Sequence, residues 1–240
     1  MTIYPSIVTT DGNHLKRLKE ATKLGLKDVC FFATKISLEE RKHFYKLLEN
    51  SSIKYIPLVH VKDDMELWEL DYFTGNFQTK LFNCHPQAEH KLKNNLSKYR
   101  KKIFVENTFF LLDENDVRFY AGICIDFSHL ETMRHFRLKA YNPNLRLIEK
   151  YHRGCGHISA EGKIFPSGGL SKIPKYFPFL GKFLKKKFSA HFLRDFKDLD
   201  YLERYQKYFP PIMALELENS LEEQLKIINY LSSKTWASKV

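Results

Sequence analysis

Side chains able to ligate metals recur in this sequence where short apolar runs end. His60 closes Leu58-Val59-His60, and His85 follows Leu81-Phe82-Asn83-Cys84. Glu106 closes Phe104-Val105-Glu106, while Asp126 and His129 follow Cys124-Ile125. His157 stands in Gly156-His157-Ile158-Ser159, and Glu216 in Ala214-Leu215-Glu216-Leu217. A single histidine at a strand end has a plain structural explanation as a hydrogen-bonded core or loop residue. Carboxylates inside apolar runs are different, because Glu106, Asp126 and Glu216 are costly to bury unless paired or metal-bound. Three of them crowded together also repel one another and resist ionisation unless cations neutralise them. A divalent metal centre removes both problems. Mixed imidazole and carboxylate ligation suits zinc first, with manganese or iron as alternatives, and gives no reason to expect an all-oxygen calcium cage.

Residues so scattered converge only if the chain folds to bring its strand ends together. Eight β-prone runs alternate with amphipathic ones. The strands are expected at Ile3–Val8, Val29–Ala33, Tyr55–Val61, Lys80–Cys84, Ile103–Glu106, Tyr120–Ile125, Gly156–Ser159 and Ile212–Leu217. Helices are expected at Asn13–Leu24 (stopped by Gly25), Leu38–Leu48, His90–Tyr99, Leu145–Tyr151, Tyr201–Tyr208 and Leu221–Leu231. The stretch around Trp68 reads as less regular, and the short gap after Glu106 predicts a trimmed fifth helix. Strand–helix alternation implies right-handed crossovers and a parallel sheet. With eight strands the expected fold is a single α/β domain over residues 1–240, a (β/α)8 TIM-type barrel whose strand ends point at one catalytic face. An open doubly wound sheet is the competitor, but no glycine-rich phosphate turn is present.

The formal net charge of +11 and a sequence pI near 9.3 favour anionic contacts such as nucleic acid, phosphorylated substrates or an anionic membrane surface. Cys30, Cys84, Cys124 and Cys155 form no CxxC pair and read as small buried strand residues of a reducing compartment. The start of the chain lacks a basic region followed by an apolar run, and no apolar stretch reaches the ~18 residues that span a bilayer. The expected location is cytoplasmic.

Taken in order, His85-Pro86, Glu106-Asn107, Asp126 with His129, His157 with Ser159, and Glu216 resemble the motifs of the xylose-isomerase-like TIM barrels. The resemblance runs from about Ile3 to Leu231. That superfamily includes endonuclease IV-type apurinic-site nucleases, UV-damage endonucleases, and sugar isomerases and epimerases. The resemblance implies two or three divalent ions. Glu106 would bridge a metal pair, His60 and His85 would hold one ion, and Asp126, His157 and Glu216 the second. His129 and His191 would hold a third, with Glu106 and Glu216 as the catalytic carboxylates. The isomerases keep the Glu, Asp, His, Glu set without needing His60, His85 or His191. The implied activity is therefore a metal-dependent phosphodiesterase of the DNA-repair endonuclease type acting on damaged DNA. A sugar or sugar-phosphate isomerase or epimerase, with a small substrate, is the alternative. A metal-dependent oxygenase and a barrel that only binds anions complete the set. The sequence departs from the endonuclease pattern at Ser189, where an Asp is expected, and at Phe109-Phe110-Leu111-Leu112, where a Gly-rich continuation is expected.

An insertion follows the seventh strand, from Gly162 to Asp198, and interleaves basic with aromatic residues. Its lysines Lys172, Lys175, Lys182, Lys185, Lys186 and Lys187 are candidates for phosphate contacts, with the aromatics stacking on bases. The same pattern suits a membrane surface or a lid packed over the barrel mouth. If DNA is the substrate, neutralising Lys185, Lys186 and Lys187 weakens binding and lowers the salt slope by about one unit per lost phosphate contact. Binding titrations across a salt series check this, and affinity insensitive to both salt and the triple substitution removes the nucleic-acid role.

Overall fold

The computed structural model describes residues 1–160 and 191–234. The basic lysines Lys172 to Lys187 therefore lie outside the described residues. All the sheet pairings are parallel. In chain order the strands are β1 (Thr2–Tyr4), β2 (Ser6–Val8), β3 (Cys30–Phe32), β4 (Leu58–His60), β5 (Leu81–Cys84), β6 (Ile103–Glu106), β7 (Ile123–Asp126), β8 (Arg153–Ile158) and β9 (Ile212–Leu215). The expected α/β barrel is what the chain forms, with one refinement. The first strand is split at Pro5, so that β1 pairs with β9 and β2 pairs with β3. Proline has no N–H to give a ladder, and here it marks the point where the strand changes neighbour.

Past Tyr4, which pairs with Ala214, no backbone ladder joins β2 to β9. Buried side chains close this seam. Ser6 N donates to Gln224 Oε1 at 2.7 Å, and the Ser6 hydroxyl donates to the Leu215 carbonyl. Gln224 Nε2 serves three carbonyls, those of Ser6, Leu217 and Asn219, at 3.1 to 3.2 Å. Arg17 donates to the carbonyls of Val8, Asn219 and Glu218 and forms a two-pronged pair with Asp11 at 2.7 Å on each arm.

The helices are α1 (His14–Lys23), α2 (Leu38–Glu49), α3 (Leu67–Phe77), α4 (Glu114–Phe119), α5 (Phe127–His135), α6 (Tyr141–Lys150) and α7 (Leu221–Ser233), with a 3-10 run at Phe196–Tyr208. Gly25 ends the first helical segment with φ of 66°, a conformation glycine adopts freely. The trimmed fifth helix is the six-residue α4. Three expectations need correction. His90–Tyr99 is not a helix and holds only a 3-10 turn at Ser97–Tyr99. There the Asn94 amide donates to the Asp64 and Met65 carbonyls, and Asn95 accepts from Ser97 N, so asparagine side chains take over backbone roles. The stretch around Trp68 is the helix α3, apolar on several sides, so that no single stripe reveals its period. Tyr201–Tyr208 lies within the longer 3-10 run and is not an α-helix.

Outside the β8 bulge, strand residues alternate between two environments. Val8, Cys30, Phe32, Leu58, Phe104, Cys124, Cys155 and Ala214 form one buried cluster, while their neighbours Ile7, Phe31, Val59, Phe82, Ile103 and Val105 join the clusters beneath the helices. The first cluster fills the barrel, and the layer above it carries the site. In β8 the register against β7 shifts between Ile123 and Cys124, and the extra residue is Gly154, where any Cβ would collide with the Phe104 ring. This bulge resets the phase, turning Cys155 and His157 inward together.

Burial alone would raise the Asp11 carboxyl, but the Arg17 guanidinium overcomes this and holds it at about 2. The resulting stabilisation is present above the unfolded carboxyl range near pH ~4 and fades as pH falls towards the folded value. Arg17→Met is expected to cost ~3 kcal/mol in urea unfolding at neutral pH. Asp11→Asn should cost ~1–2 kcal/mol and flatten the acid limb of the stability profile.

Candidate metal centre

The inward positions at the C-terminal ends of β4 to β9 carry the ligand-type residues. Register aligns them, pairing His60 with Asn83, Glu106 with Cys124 and Asp126 with His157. Glu216 stands just past β9 and continues the ladder by donating its N–H to the Ile158 carbonyl at 2.9 Å. Glu106 is central. Its Oε2 accepts from Asn83 Nδ2 at 2.9 Å and lies 3.2 Å from His60 Nε2 and 3.4 Å from His157 Nδ1. Its Oε1 faces the rim, 3.9 Å from His129 Nδ1 and 4.0 Å from His85 Nε2.

Among the described residues, three groups have ligand atoms within 4.8 Å of one another: His60, His85 and Glu106; Glu106, Asp126 and His129; and Asp126, His157 and Glu216. Glu106 and Asp126 each belong to two. Of the sequence-predicted ligands, His191 belongs to none of these groups. Its Nδ1 lies 3.2 Å from the Glu216 carbonyl oxygen and 3.9 Å from Glu216 Oε1. Burial is graded: His60, Glu106, Asp126, His157 and Glu216 are buried, whereas His85 and His129 are partly open to solvent.

Asp126 works with both oxygens. Oδ1 accepts from the Ser128 hydroxyl at 2.7 Å and from His129 N at 2.9 Å, capping α5. Oδ2 has no hydrogen-bond partner and is buried, 3.3 Å from His129 Nδ1. Asn107 braces this corner, donating to the Asp126 carbonyl and accepting from Asp126 N, both at 3.0 Å. His157 Nδ1 is likewise buried without a hydrogen-bond partner, 3.5 Å from Glu216 Oε2. Two such orphaned atoms in one oxygen- and nitrogen-rich cluster fit a divalent cation. The helix α5 is missed by sequence periodicity, although Asp126 three residues before His129 is its cap signal. Asn83 is also missed, and its signal is a lone polar residue at an inward position of a strand.

Histidine side chains offset the charge of the buried carboxylates. Burial would raise the Glu106 carboxyl, but His157, His85 and His60 hold it well below the usual range. Burial opposes the Glu216 carboxyl too, and His191 and His157 bring it down to about 2. Burial pushes the Asp126 carboxyl up, and the Glu106 and Glu216 charges add to that against His129. Burial disfavours charged His157, yet the Glu106 and Glu216 carboxylates drive its imidazole up to about 10. His85 goes the other way, pulled by desolvation to about 4.

No family model matches this chain, and no curated protein matches it. Among solved structures it is similar to the crystal structure of the probable 3-DHS dehydratase AsbF involved in petrobactin synthesis, from Bacillus anthracis. The identity is 10% and the TM-score 0.45, with 97% of this chain and 100% of that chain covered.

A divalent ion at Nδ1 must displace the His157 proton, which stays bound up to about pH 10. Zinc affinity should therefore rise with pH, by about tenfold per unit between pH ~6 and ~9, with about one proton released per ion. Calorimetric titrations in buffers of different ionisation enthalpy measure that release. Affinity flat across this range would show that His157 is not a ligand.

Proposed function

We propose that this chain is a metal-dependent phosphodiester hydrolase working at the barrel mouth. The observation that carries this reading is the sharing of Glu106 and Asp126 between adjoining ligand groups, which suits more than one ion. His60, His85 and Glu106 would hold one ion, and Asp126, His157 and Glu216 another, with Glu106 between them. A third position would use His129. Bound divalent ions supply a water of lowered pKa and offset charge on phosphate oxygens.

The chain's own contribution is placement. Asn83 holds one Glu106 oxygen by a direct hydrogen bond, leaving the other turned to the rim histidines. His85 and His129, partly exposed, are the groups an incoming anionic substrate meets first. Beneath them the apolar interior of the barrel excludes water from the far side of the carboxylates. The net charge of +11 favours approach of a phosphorylated substrate. Damaged DNA is one such substrate, and the argument for it rests on the lysines of the insertion.

A second reading has its own observation. Asp126, His157 and Glu216 form the fully buried group and, with Glu106, suffice for a single ion. The rim histidines would then orient a sugar or sugar phosphate for isomerisation or epimerisation.

Hydrolysis of bis(p-nitrophenyl) phosphate and of abasic-site DNA separates the two. The expected result is turnover by zinc- or manganese-loaded protein, abolished by a chelator and reduced at least ~100-fold in Glu106→Gln. Metal-loaded protein that interconverts sugar phosphates and leaves both diesters intact would establish the second reading instead.

A further inference from the structure

His157 is fully buried and uses both faces of its ring. Nδ1 looks up at Glu106 and Glu216, while Nε2 points down into the barrel, 3.4 Å from Cys124 Sγ. Phe32 packs edge-on against the ring at 4.8 Å between centroids, which fixes its plane. A nitrogen that ligates a metal must offer a lone pair, so Nδ1 as ligand requires the proton on Nε2. A buried ring N–H then needs an acceptor. In many metal centres this is a carboxylate or a carbonyl, which can only accept. A thiol both donates and accepts weakly.

We propose that Cys124 is a positioning residue for His157: its sulfur accepts the Nε2–H when Nδ1 is given to a divalent ion. When Nδ1 instead carries a proton towards the carboxylates, the ring is an imidazolium and its Nε2–H stays on the same sulfur. The ring and its contact with the sulfur keep their place in both states, and only the Nδ1 proton is exchanged for the ion. This rests on a divalent ion binding at the centre, but not on the reaction that follows.

Two measurements test it. In the first, long-range ¹H–¹⁵N correlation spectra of zinc-loaded wild-type protein report the state of each His157 nitrogen. The expected spectrum has Nε2 protonated and Nδ1 metal-bound, and a zinc form with Nδ1 protonated overturns the proposal. In the second, zinc dissociation constants are measured by competition with a chelating indicator. Cys124→Ala should weaken zinc by ~10–100-fold, and Cys124→Ser, which keeps a group that both donates and accepts, should recover most of it. The control is Cys30→Ala, the same truncation in the same interior cluster, expected to stay within about threefold of wild type. Equal affinities for Cys124→Ala and Cys30→Ala overturn the proposal, as does wild-type protein that takes up no zinc. Should Cys124→Ala fail to fold, the wild-type spectrum decides alone. Diester hydrolysis is followed in parallel. Zinc affinity that depends on Cys124 in a protein inert towards diesters supports the positioning role and removes only the hydrolytic reading.

Discussion

A carboxylate held out of water near the axis of a barrel demands compensation, and Glu106 makes that demand of its neighbours. Burying an ionised carboxylate costs several kcal/mol unless hydrogen bonds and opposite charge replace its hydration. Asn83 from β5, His60 from β4 and His157 from β8 all approach one oxygen of Glu106. Those three side chains come from different strands, so their convergence depends on barrel register. A slip of one residue in any strand would turn its donor from the interior to the helix side. The charge at Glu106 and the register of the sheet are thus a single constraint.

That constraint reaches down into the apolar layer. Phe104 lies two residues before Glu106 on the same face, and its ring occupies the space a side chain at position 154 would need. Gly154 is the extra residue of the β8 bulge, and the bulge turns His157 towards Glu106. Phe32 contacts both His60 and His157, at 5.8 and 4.8 Å between ring centroids. Ring packing below and ion pairing above therefore fix the same histidines from two sides.

The barrel was legible because its signal is periodic: apolar runs ending in polar residues, separated by amphipathic stretches. The convergence of Glu106, Asp126, His157 and Glu216 follows from strand ends meeting at one face. What was illegible has local causes. The split at Pro5 was hidden because both halves of that strand are apolar and only the change of neighbour separates them. Helix α3 buries one face through Leu70, Phe73 and Phe77, but Leu67, Trp68 and Tyr72 put apolar residues on its other sides, which blurs the stripe in sequence. The segment before Tyr99 has helical spacing, yet Asn94 and Asn95 bond to backbone groups in a way no periodicity reveals. Asn83 is marked in sequence only as a lone polar residue within a strand, and the partners through which Asn83, Asn107 and Cys124 act stand on other strands, which a linear pattern does not pair.

Asp126 joins the local and the global accounts. As the residue before a helix it is an ordinary N-cap, and capping needs one oxygen. That oxygen is taken by Ser128 and His129 N, which fixes the carboxylate plane and leaves Oδ2 with no hydrogen-bond partner. The cap also starts α5 at a point where His129, in its first turn, lies 3.3 Å from that same oxygen. One short sequence, Asp126 to His129, thus begins a helix, orients a buried carboxylate and brings a histidine to the rim. An unpartnered buried oxygen costs stability on its own, so the cap that holds Oδ2 in place is bound to the same carboxylate that carries the cost. A cation coordinated there would offset that cost, which ties the centre's metal chemistry to the stability of the helix beside it.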